Sequence, residues 1–358
     1  MTDAFINRIA TAVPPHDVHG AFLDFARLML HGDNRRLALF NRMAGRSGIA
    51  RRHSFLNPAH QDGQDAASDA YRFYRLGAFP DTAARMHLYE AFAPGLAAEA
   101  VGALLKDEDP ATVTHLIIAS CTGFAAPGVD LELIARCGLR PEVERTMVGF
   151  MGCYAAINAL KLARHIVRSE PAARVVTVNL ELCTLHLQET GDLEDILSFL
   201  LFADGCAASL VTAEPHGAAI GGFHAALVPD SADLIRWNIR GQGFDMVLSG
   251  GVPGAVRRAL SGARGAILGG AEPDDIALWA VHPGGRTVLD AVEQAFALAP
   301  SALATSRGVL HDFGNMSSGT VMFVLDRLMR GAPAGAPGCA MSFGPGLFAE
   351  TMTFRMAA

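Results

Sequence analysis

The sequence contains almost no lysine. Among its 358 residues, Lys106 and Lys161 are the only lysines, so a site that binds phosphate groups has to be built from arginine. The formal charge of −7 at pH 7 argues against a general nucleic-acid-binding protein. We therefore expect small-molecule substrates and no nucleic-acid partner.

Sequence features of membrane targeting, metal binding and disulfide formation are missing as well. The first residues, MTDAFINRIATAVPPHD, show no basic segment followed by a continuous apolar run, so we expect no secretory signal. No apolar run reaches about 18 residues, so we expect no membrane span. The six cysteines are scattered and form no C-x-x-C pair with metal-site spacing, so we expect neither a bound metal nor a disulfide framework. The expected location is the reducing cytoplasm.

The composition is that of an ordered protein with a large buried surface. Hydrophobic residues make up 51% of the chain and the mean hydropathy is +0.26, which also fits a protein with an oligomer interface. The length allows two domains or one large duplicated domain.

Buried strands alternate with helices along most of the chain. Residues 19–46 and 64–107 read mainly as helices, and the pattern then changes to strands such as THLIIAS and ARVVTVNLEL, each followed by a helical segment. The second half repeats this order, from IALWAV to the strands around a Gly-Pro-Gly turn. This pattern predicts α/β layers with ligands at the carboxyl ends of the strands.

One cysteine lies at a position that favours reactivity. Cys153 follows Gly149 and Gly152 and precedes apolar residues at helical spacing, so we expect it at a helix N-terminus, reached by a tight turn. The partial positive charge there favours a thiolate. The alternative is a buried cysteine that acts as a small hydrophobic residue.

Two further polar residues follow predicted secondary structure in the second half. His282 comes directly after a buried strand, and Asn315 stands where an apolar helix begins. Each has a structural alternative, as a hydrogen-bonded histidine or a helix cap. Together with Cys153 they form a coherent set, because an imidazole can deprotonate a thiol and both side chains can donate hydrogen bonds to a developing oxyanion.

Five segments, in the order expected for one family, carry a resemblance. They are GCYAAINALKLA, LFADGCAASLV, WAVHPGGRTVLDAVE, GNMSSGTVMFVLDRL and SFGPGLFAET. On these segments the sequence resembles type III polyketide synthases, the chalcone-synthase-like branch of the thiolase superfamily. The resemblance implies an α/β protein with a thiolase-like, five-layered αβαβα fold of two similar halves. Residues 1–220 would carry the nucleophilic cysteine, residues 221–358 would carry the histidine and asparagine, and the protein would be a homodimer.

The resemblance also implies a reaction. Cys153 would take an acyl group from an acyl-CoA starter, and malonyl-CoA would lose carbon dioxide to give an enolate that attacks this acyl group. His282 and Asn315 would stabilise the enolate oxygen, and neither a metal nor a redox cofactor would be required. Repeated condensation and cyclisation would give an alkylpyrone, alkylresorcinol or phloroglucinol-type product, with an aliphatic starter favoured.

Further residues receive roles from the same resemblance. Phe202 matches the gatekeeping phenylalanine between the coenzyme A tunnel and the active site, and Gly344 and Pro345 match the closing loop. The other cavity positions, several of which depart from the plant pattern, are Cys121, Ala126, Cys183, His186 and Met246. Ala126 would replace a methionine that usually enters the partner subunit's cavity, and Trp237 falls near a position that is usually small.

The coenzyme A site would combine cations with flexible backbone. Arg42 and Arg46 match two cationic positions of the family, whereas Leu39 stands where a third cation is usual. Gly284 and Gly285 would let the pantetheine arm approach the backbone. For both arginines the alternative is a solvated helix face.

Two other functions fit the same residues. A β-ketoacyl-acyl-carrier-protein synthase III would use the Cys-His-Asn set for a single condensation. A non-catalytic thiolase-fold protein would bind acyl-CoA or a partner subunit without turnover. Consumption of malonyl-CoA or of the carrier-protein form separates the two enzymes, and release of carbon dioxide separates both from a binding protein.

Overall fold

The computed structural model describes residues 2–59 and 69–358. The elements up to residue 217 are β1 (Phe5–Ala12), β2 (His16–Asp17), α1 (His19–Met29), α2 (Asn34–Ala44), β3 (His53–Ser54), α3 (Ala70–Phe73), α4 (Thr82–Leu104), β4 (His115–Ser120), α5 (Val129–Cys137), β5 (Glu144–Gly149), α6 (Ala155–Ser169), β6 (Val175–Leu182), α7 (Leu193–Phe199) and β7 (Asp204–Thr212). The elements from residue 218 onward are β8 (Ala218–Leu227), β9 (Ile235–Arg240), β10 (Gly243–Leu248), α8 (Val252–Ile267), β11 (Leu278–Val281), α9 (Arg286–Phe296), α10 (Ala304–Phe313), α11 (Thr320–Met329), β12 (Pro337–Gly344) and β13 (Phe348–Met356).

The predicted helical region 19–46 is divided into α1 and α2. Gly32 adopts a φ of 95°, in the left-handed region, and the side chain of Asp33 then accepts a hydrogen bond from the Arg36 N–H and caps α2. Part of the second predicted helical region, residues 64–68, lies outside the described residues. Its remainder is mainly α4, with the short α3 before it.

The sheet reveals two similar halves. Within the described residues, nine strands form one sheet in the order β11-β12-β13-β8-β1-β7-β6-β4-β5. The series β1-β7-β6-β4 has two antiparallel pairings followed by a parallel one, and the series β8-β13-β12-β11 has the same pairings. The halves meet where β1 pairs with β8 through two residue pairs. A boundary at residue 220 would fall inside β8, and that boundary stays a prediction.

Side chains on alternate faces of the strands build five layers. On one face of the first half, Leu116 and Ile118 pack in a core with α4 and α5, whereas Ile117 faces the opposite core. On the second half, Trp279 and Val281 pack with α8 and α9, and Ala280 faces inward. The inward faces of both halves share one core with α6 and α11. The predicted five-layered αβαβα arrangement is confirmed.

The carboxyl ends of several strands come together beside this central layer. The segments that follow β4, β5, β6, β11 and β12 contain, respectively, Cys121, Cys153, Cys183, His282 and Pro345. The hairpin of β9 and β10, a separate two-stranded sheet, covers this region from one side.

Neither a membrane helix nor a metal cluster is found in residues 2–59 and 69–358. None of the helices there combines the length and the apolar character needed to cross a bilayer. No group of three His, Cys, Asp or Glu side chains is arranged to hold a metal ion in this part of the chain.

Candidate active site

Cys153 lies in a 3₁₀ turn, Gly152–Tyr154, that leads directly into α6. Gly152 has a φ of 75°, and a Cβ atom there would lie 2.2 Å from Cδ of Pro345. The turn therefore needs glycine both for its backbone conformation and for close contact with the closing loop. The position at a helix N-terminus agrees with the sequence pattern.

His282 follows β11 and is almost fully buried, with 1% of its surface exposed. Its backbone N–H donates to the carbonyl of Met341. Neither ring nitrogen has a hydrogen-bond partner among the described residues. A buried imidazole without a partner is available to a bound substrate or to the nucleophile.

Asn315 is held by its own backbone and by its side-chain oxygen. Its N–H donates to the carbonyl of Leu201, and its carbonyl accepts from the N–H of Ala203. Its Oδ1 accepts a hydrogen bond of 2.9 Å from the Ser317 N–H. Because Oδ1 is occupied in this way, the amide NH₂ group is left as the functional donor.

These three side chains meet in one chamber of about 660 Å³, which includes the part open to solvent. We call it the central chamber. Its wall is formed by Cys121, Thr122, Gly152, Cys153, Cys183, Phe202, Ile235, Trp237, Met246, Leu248, Val252, His282, Gly284, Val288, Asn315, Ser317, Phe343, Gly344 and Pro345. Apart from the three cysteines, Thr122, His282 and the polar groups around Asn315, the wall is mainly apolar.

Burial keeps the nucleophile and the base neutral in the free protein. Burial raises the pKa of the Cys153 thiol to about 12, although hydrogen bonds with the side chains of Ser317 and Asn315 oppose the rise. Burial lowers the pKa of the His282 imidazole to about 3. The helix N-terminus therefore does not produce a resting thiolate, because desolvation outweighs it.

A buried carboxylate that the sequence analysis did not single out stands behind the chamber. Glu181, on β6, accepts hydrogen bonds from the Cys121 N–H, the Thr122 hydroxyl and the Ser318 hydroxyl. Burial raises its pKa to about 7. The available signal was a carboxylate inside an otherwise apolar strand, NLEL, since a charged residue is buried only where partners satisfy it.

Cys121 and Cys183 both lie on the chamber wall. The Sγ of Cys121 accepts a hydrogen bond of 2.8 Å from the Gly152 N–H, and its carbonyl accepts one of 2.8 Å from the Trp237 indole N–H. Burial raises the pKa of both thiols well above the ordinary value. Through its hydrogen bond with Gly152, Cys121 thus stabilises the turn that carries Cys153.

His186 lies behind the chamber wall. Its Nε2 donates to the carbonyl of Thr122 at 2.7 Å, and its Nδ1 accepts from the Phe244 N–H. Its ring stacks on Phe244 with centroids 4.1 Å apart and contacts Trp237 edge-on. Burial lowers its pKa to about 3. These contacts tie the β9–β10 hairpin to the body of the protein.

A groove of about 2,030 Å³, again including open space, leads from the surface to the chamber. We call it the entrance groove. It shares Leu248, Val252, Gly284 and Val288 with the central chamber, and Gly285 also lines it.

One of the two arginines indicated by the sequence lies on the wall of the groove. Arg46 lines the groove and so does the uncharged Leu39, whereas Arg42 is exposed and does not. Arg36 and Arg286 line it as additional cations. The sequence motif did not indicate Arg36, because it lies one turn before the matched positions, which begin at Leu39. Arg286 is distant in sequence and meets this groove only through folding.

A third space, the apolar cavity, adjoins the chamber on the other side. It measures about 650 Å³ including open space and shares only Cys183 and Phe202 with the chamber. The rest of its wall is formed by Val18, Ala21, Phe22, Phe25, Arg52, Ser54, Leu56, Pro58, Ala70, Tyr71, Tyr74, Thr184, Leu187 and Phe199. No sequence pattern indicates this cavity, since its wall comes from five separate stretches of the chain.

Ala126 lies on the surface of the chain and does not line its own chamber. The Ala126–Pro127 peptide bond is cis. This loop follows Cys121 and lies next to the edge strand β5, since a Cβ atom on Gly149 would meet the Phe124 ring at 2.9 Å.

Comparison with known proteins adds to this geometry. The family models for the N-terminal and C-terminal domains of chalcone and stilbene synthases match residues 7–215 and 223–358, respectively. Alpha-pyrone synthesis polyketide synthase-like Pks18 from Mycobacterium tuberculosis is 34% identical over 284 residues, covering 75% of this chain and 72% of the relative. Bisdemethoxycurcumin synthase from Oryza sativa subsp. japonica is 33% identical over 375 residues, which cover 98% of this chain and 91% of the relative. The crystal structure of PKS-I from the brown alga Ectocarpus siliculosus superimposes with a TM-score of 0.91 at 28% identity and covers 99% of both chains.

Proposed function

Since the chain belongs to the chalcone and stilbene synthase family and is a type III polyketide synthase, we propose that it uses an aliphatic acyl-CoA starter. It extends this starter with malonyl-CoA and cyclises the product to an alkylpyrone or alkylresorcinol. The observation that carries the proposal is the apolar cavity, which adjoins the central chamber at Cys183 and Phe202. A relative named for alpha-pyrone synthesis supports the product class.

The first step loads the starter on Cys153. The neutral imidazole of His282 takes the thiol proton, and the sulfur attacks the thioester carbonyl of the starter. The bond to the coenzyme A sulfur breaks, and the imidazolium returns the proton to that sulfur. In the desolvated chamber the thiolate and the imidazolium attract each other. This attraction offsets part of the desolvation cost that keeps each group neutral on its own.

The second step makes the carbon nucleophile. Malonyl-CoA binds with its thioester oxygen facing the Asn315 amide and the His282 ring, and both donate hydrogen bonds to that oxygen. The malonyl carboxylate meets apolar walls at Phe202 and Met246, where it is poorly solvated and leaves as carbon dioxide. The enolate then attacks the acyl carbon on Cys153, and the extended chain leaves on coenzyme A.

The entrance groove holds the coenzyme A portion. Arg36, Arg46 and Arg286 supply cations for its phosphates, in place of the cation that Leu39 lacks. The pantetheine arm passes Gly284 and Gly285 to reach the chamber. Arg42, which the resemblance also assigns to the coenzyme A site, is exposed on the same helix as Arg36 and stays a proposed contact for these phosphates.

Narrowing the junction between the apolar cavity and the central chamber tests the starter class. In Cys183→Phe a ring would fill the junction. The methylenes of a decanoyl chain could then no longer be buried in the apolar cavity, whereas an acetyl group has none to bury. We therefore expect at least a tenfold loss of kcat/KM for decanoyl-CoA and little change for acetyl-CoA. Initial rates over starters of two to sixteen carbons, with products identified by mass spectrometry, measure this effect.

Matched variants complete this test. Cys183→Ala keeps the junction open and should retain decanoyl-CoA activity, and Cys137→Phe places the same ring on α5, outside all three spaces. Equal rates for short and long starters in Cys183→Phe, with unchanged thermal stability, would contradict an aliphatic chain in the apolar cavity.

A homodimer is the proposed assembly. The edge strand β5 leaves one side unpaired by any strand of the described chain. Met147 within β5 and Met151 just after it expose 44% and 37% of their surfaces. An exposed edge with apolar side chains favours pairing with a second copy. The Ala126 loop on the same side would then face the partner.

Light scattering on a sizing column measures the mass in solution. Met147→Asp places a charge on β5 and should shift the mass toward that of one chain. As a control, Leu227 is an apolar residue on β8 that exposes 60% of its surface. Leu227→Asp should leave the mass in solution unchanged. A wild-type mass of one chain at micromolar concentration would contradict the dimer.

A further inference from the structure

The apolar cavity has one charged side chain among the residues that line it. Arg52, directly before β3, reaches the cavity wall and exposes only 2% of its surface. The side chains around it are mainly aromatic and aliphatic. A charge in such surroundings costs free energy unless hydrogen bonds or an opposite charge compensate it.

Protein atoms occupy three of the five N–H donors of Arg52. Its Nε donates to Nδ1 of His19 at 3.1 Å, and its Nη1 donates to the carbonyls of Phe199 and Phe202 at 2.9 and 2.7 Å. The Phe22 ring covers the guanidinium, with its centroid 4.5 Å from Cζ. Nη2 is buried and has no hydrogen-bond partner in the described part of the protein. Its two N–H groups are therefore available to a molecule in the cavity.

The hydroxyl groups of Ser54, Tyr74 and Thr184, on the same wall, already have partners. The Ser54 and Thr184 hydroxyls lie 2.7 Å apart, and the Thr184 hydroxyl also donates to Oδ2 of Asp204 at 2.7 Å. The Tyr74 hydroxyl donates to the Thr184 carbonyl at 2.6 Å. Among the buried side-chain nitrogens and oxygens of the described wall, Nη2 of Arg52 is the one that lacks a partner.

No carboxylate of the described residues forms an ion pair with Arg52. The Asp17 carboxylate accepts hydrogen bonds from the backbone N–H groups of His19 and Arg52. The Asp204 carboxylate is bound to Thr184. Both acids attract the guanidinium, yet burial outweighs them and lowers the pKa of Arg52 to about 9. At neutral pH Arg52 is therefore a cation whose charge is compensated only in part, so an anion beside Nη2 would be stabilised.

The guanidinium stands next to the junction between the apolar cavity and the central chamber. Phe202, whose carbonyl accepts from Nη1, lines both spaces. An acyl chain that runs from Cys153 through this junction passes the segment that Arg52 holds. The part of the chain beyond the junction, and not its thioester, would then lie beside Nη2.

We propose that Arg52 binds a carboxylate at the far end of the starter's acyl chain, so that ω-carboxyacyl-CoA thioesters are starters of this enzyme. The proposal rests on the proposed function, because the chain follows the same route from Cys153 into the apolar cavity. Charge-assisted hydrogen bonds from a guanidinium to a carboxylate are among the stronger ones. The carboxylate is only bound, and the thioester exchange at Cys153 is unchanged.

This arrangement demands a particular chain length. Because Arg52 is held in place by His19, Phe199 and Phe202, only a chain of matching length brings its carboxylate to Nη2. A shorter chain leaves the carboxylate among apolar side chains, where it is poorly solvated. A methyl-ended chain has no such requirement.

The experiment compares two series of acyl-CoA thioesters with six to sixteen carbons, one ending in a carboxylate and the other in a methyl group. The second-order rate constant for acylation of Cys153 is measured by mass spectrometry of the intact protein. In wild type, the ratio of the carboxylate rate constant to the methyl rate constant should pass through a maximum at one chain length. At six carbons this ratio should be at least tenfold lower than at the maximum.

Variants of Arg52 separate recognition from structural support. Arg52→Gln removes the charge and should lower the ratio at the optimal length at least tenfold, whereas Arg52→Lys keeps a cation and should retain more of it. Loss of support for Phe202 alone would slow both series alike and leave the ratio unchanged. The matched control is Arg85→Gln. Arg85 is a second buried arginine with an unpartnered Nη2, it lines none of the three spaces, and its variant should keep the wild-type ratio.

Two results would overturn the proposal. One is a wild-type ratio without a maximum, which decides the matter even if the Arg52 variants fail to fold. The other is a maximum that persists at full height in Arg52→Gln. Decanoyl-CoA, the ten-carbon methyl-ended member, tests the proposed function separately. Failure of decanoyl-CoA to acylate wild type would contradict the proposed starter class, whereas acylation by decanoyl-CoA without a carboxylate optimum contradicts only the Arg52 site.

Discussion

Phe202 and Asn315 form an isolated parallel β-bridge that joins the wall between two cavities to the candidate oxyanion donor. The bonds on either side of Phe202, from Ala203 to Asn315 and from Asn315 to Leu201, are 2.9 and 2.8 Å long. Arg52 adds a hydrogen bond of 2.7 Å to the carbonyl of Phe202. All these bonds use main-chain atoms of the bridge, so the Asn315 backbone keeps its place when its side chain is changed.

Asn315→Ala should therefore separate loading from decarboxylation. Removing one oxyanion donor slows the reaction by about 10² to 10³, and we expect that loss in carbon dioxide release from malonyl-CoA. Acylation of Cys153 by decanoyl-CoA should continue within a few-fold of wild type, because the amide is not needed for sulfur attack. Radiolabelled malonyl-CoA and intact-protein mass measure the two steps, and parallel losses in both would contradict this role.

Cys153→Ala should abolish covalent loading. The other two thiols of the chamber, Cys121 and Cys183, are held protonated by burial, and neither lies in the turn that begins α6. Peptide mapping after incubation with decanoyl-CoA checks the site of attachment. Cys121→Ala and Cys183→Ala serve as controls that keep the label, and a stable acyl thioester elsewhere in Cys153→Ala would refute the assignment.

Trp237→Gly should lengthen the polyketide. The indole occupies the chamber wall, and its N–H bonds to the Cys121 carbonyl, so its removal opens space beside the acyl-cysteine. We expect products with at least one further malonate-derived unit and a loss of about 2 kcal/mol in unfolding free energy. Trp237→Phe, which loses the hydrogen bond but keeps most of the bulk, should retain the wild-type product mass. Unchanged products in Trp237→Gly would show that other residues limit extension.

Glu181→Gln should alter how stability depends on pH. The pKa of Glu181 rises from its ordinary 4.5 to about 7 on folding, so the folded state favours the protonated carboxyl. Its contribution is fully present below about pH 4.5 and is lost as pH rises through about 7. A neutral glutamine avoids that loss, so the variant should gain on wild type by up to about 3 kcal/mol between pH 4.5 and 8.

Denaturant unfolding across that pH range measures the difference. Asp204, whose pKa burial also raises to about 7, is present in both proteins and cancels from the comparison. A difference that is constant with pH would show that Glu181 does not change its protonation in this window.

The local sequence determined the elements and the order of the reactive residues. Apolar runs such as THLIIAS become strands because both of their faces are covered, and polar residues directly after them lie at the carboxyl ends of those strands. That rule placed His282, whereas the glycines before a helical pattern placed Cys153 in a turn and the start of an apolar helix placed Asn315. The motifs indicated the family because a nucleophile's turn demands particular residues at Gly152 and around Pro345.

Only the tertiary structure decided what surrounds those residues. The apolar cavity, the cations Arg36 and Arg286 and the buried Glu181 depend on segments far apart in the chain, and no local pattern encodes their proximity. The protonation of Cys153 was also decided at that level: a helix N-terminus is visible in the sequence, whereas the desolvation that outweighs it depends on every neighbour that excludes water.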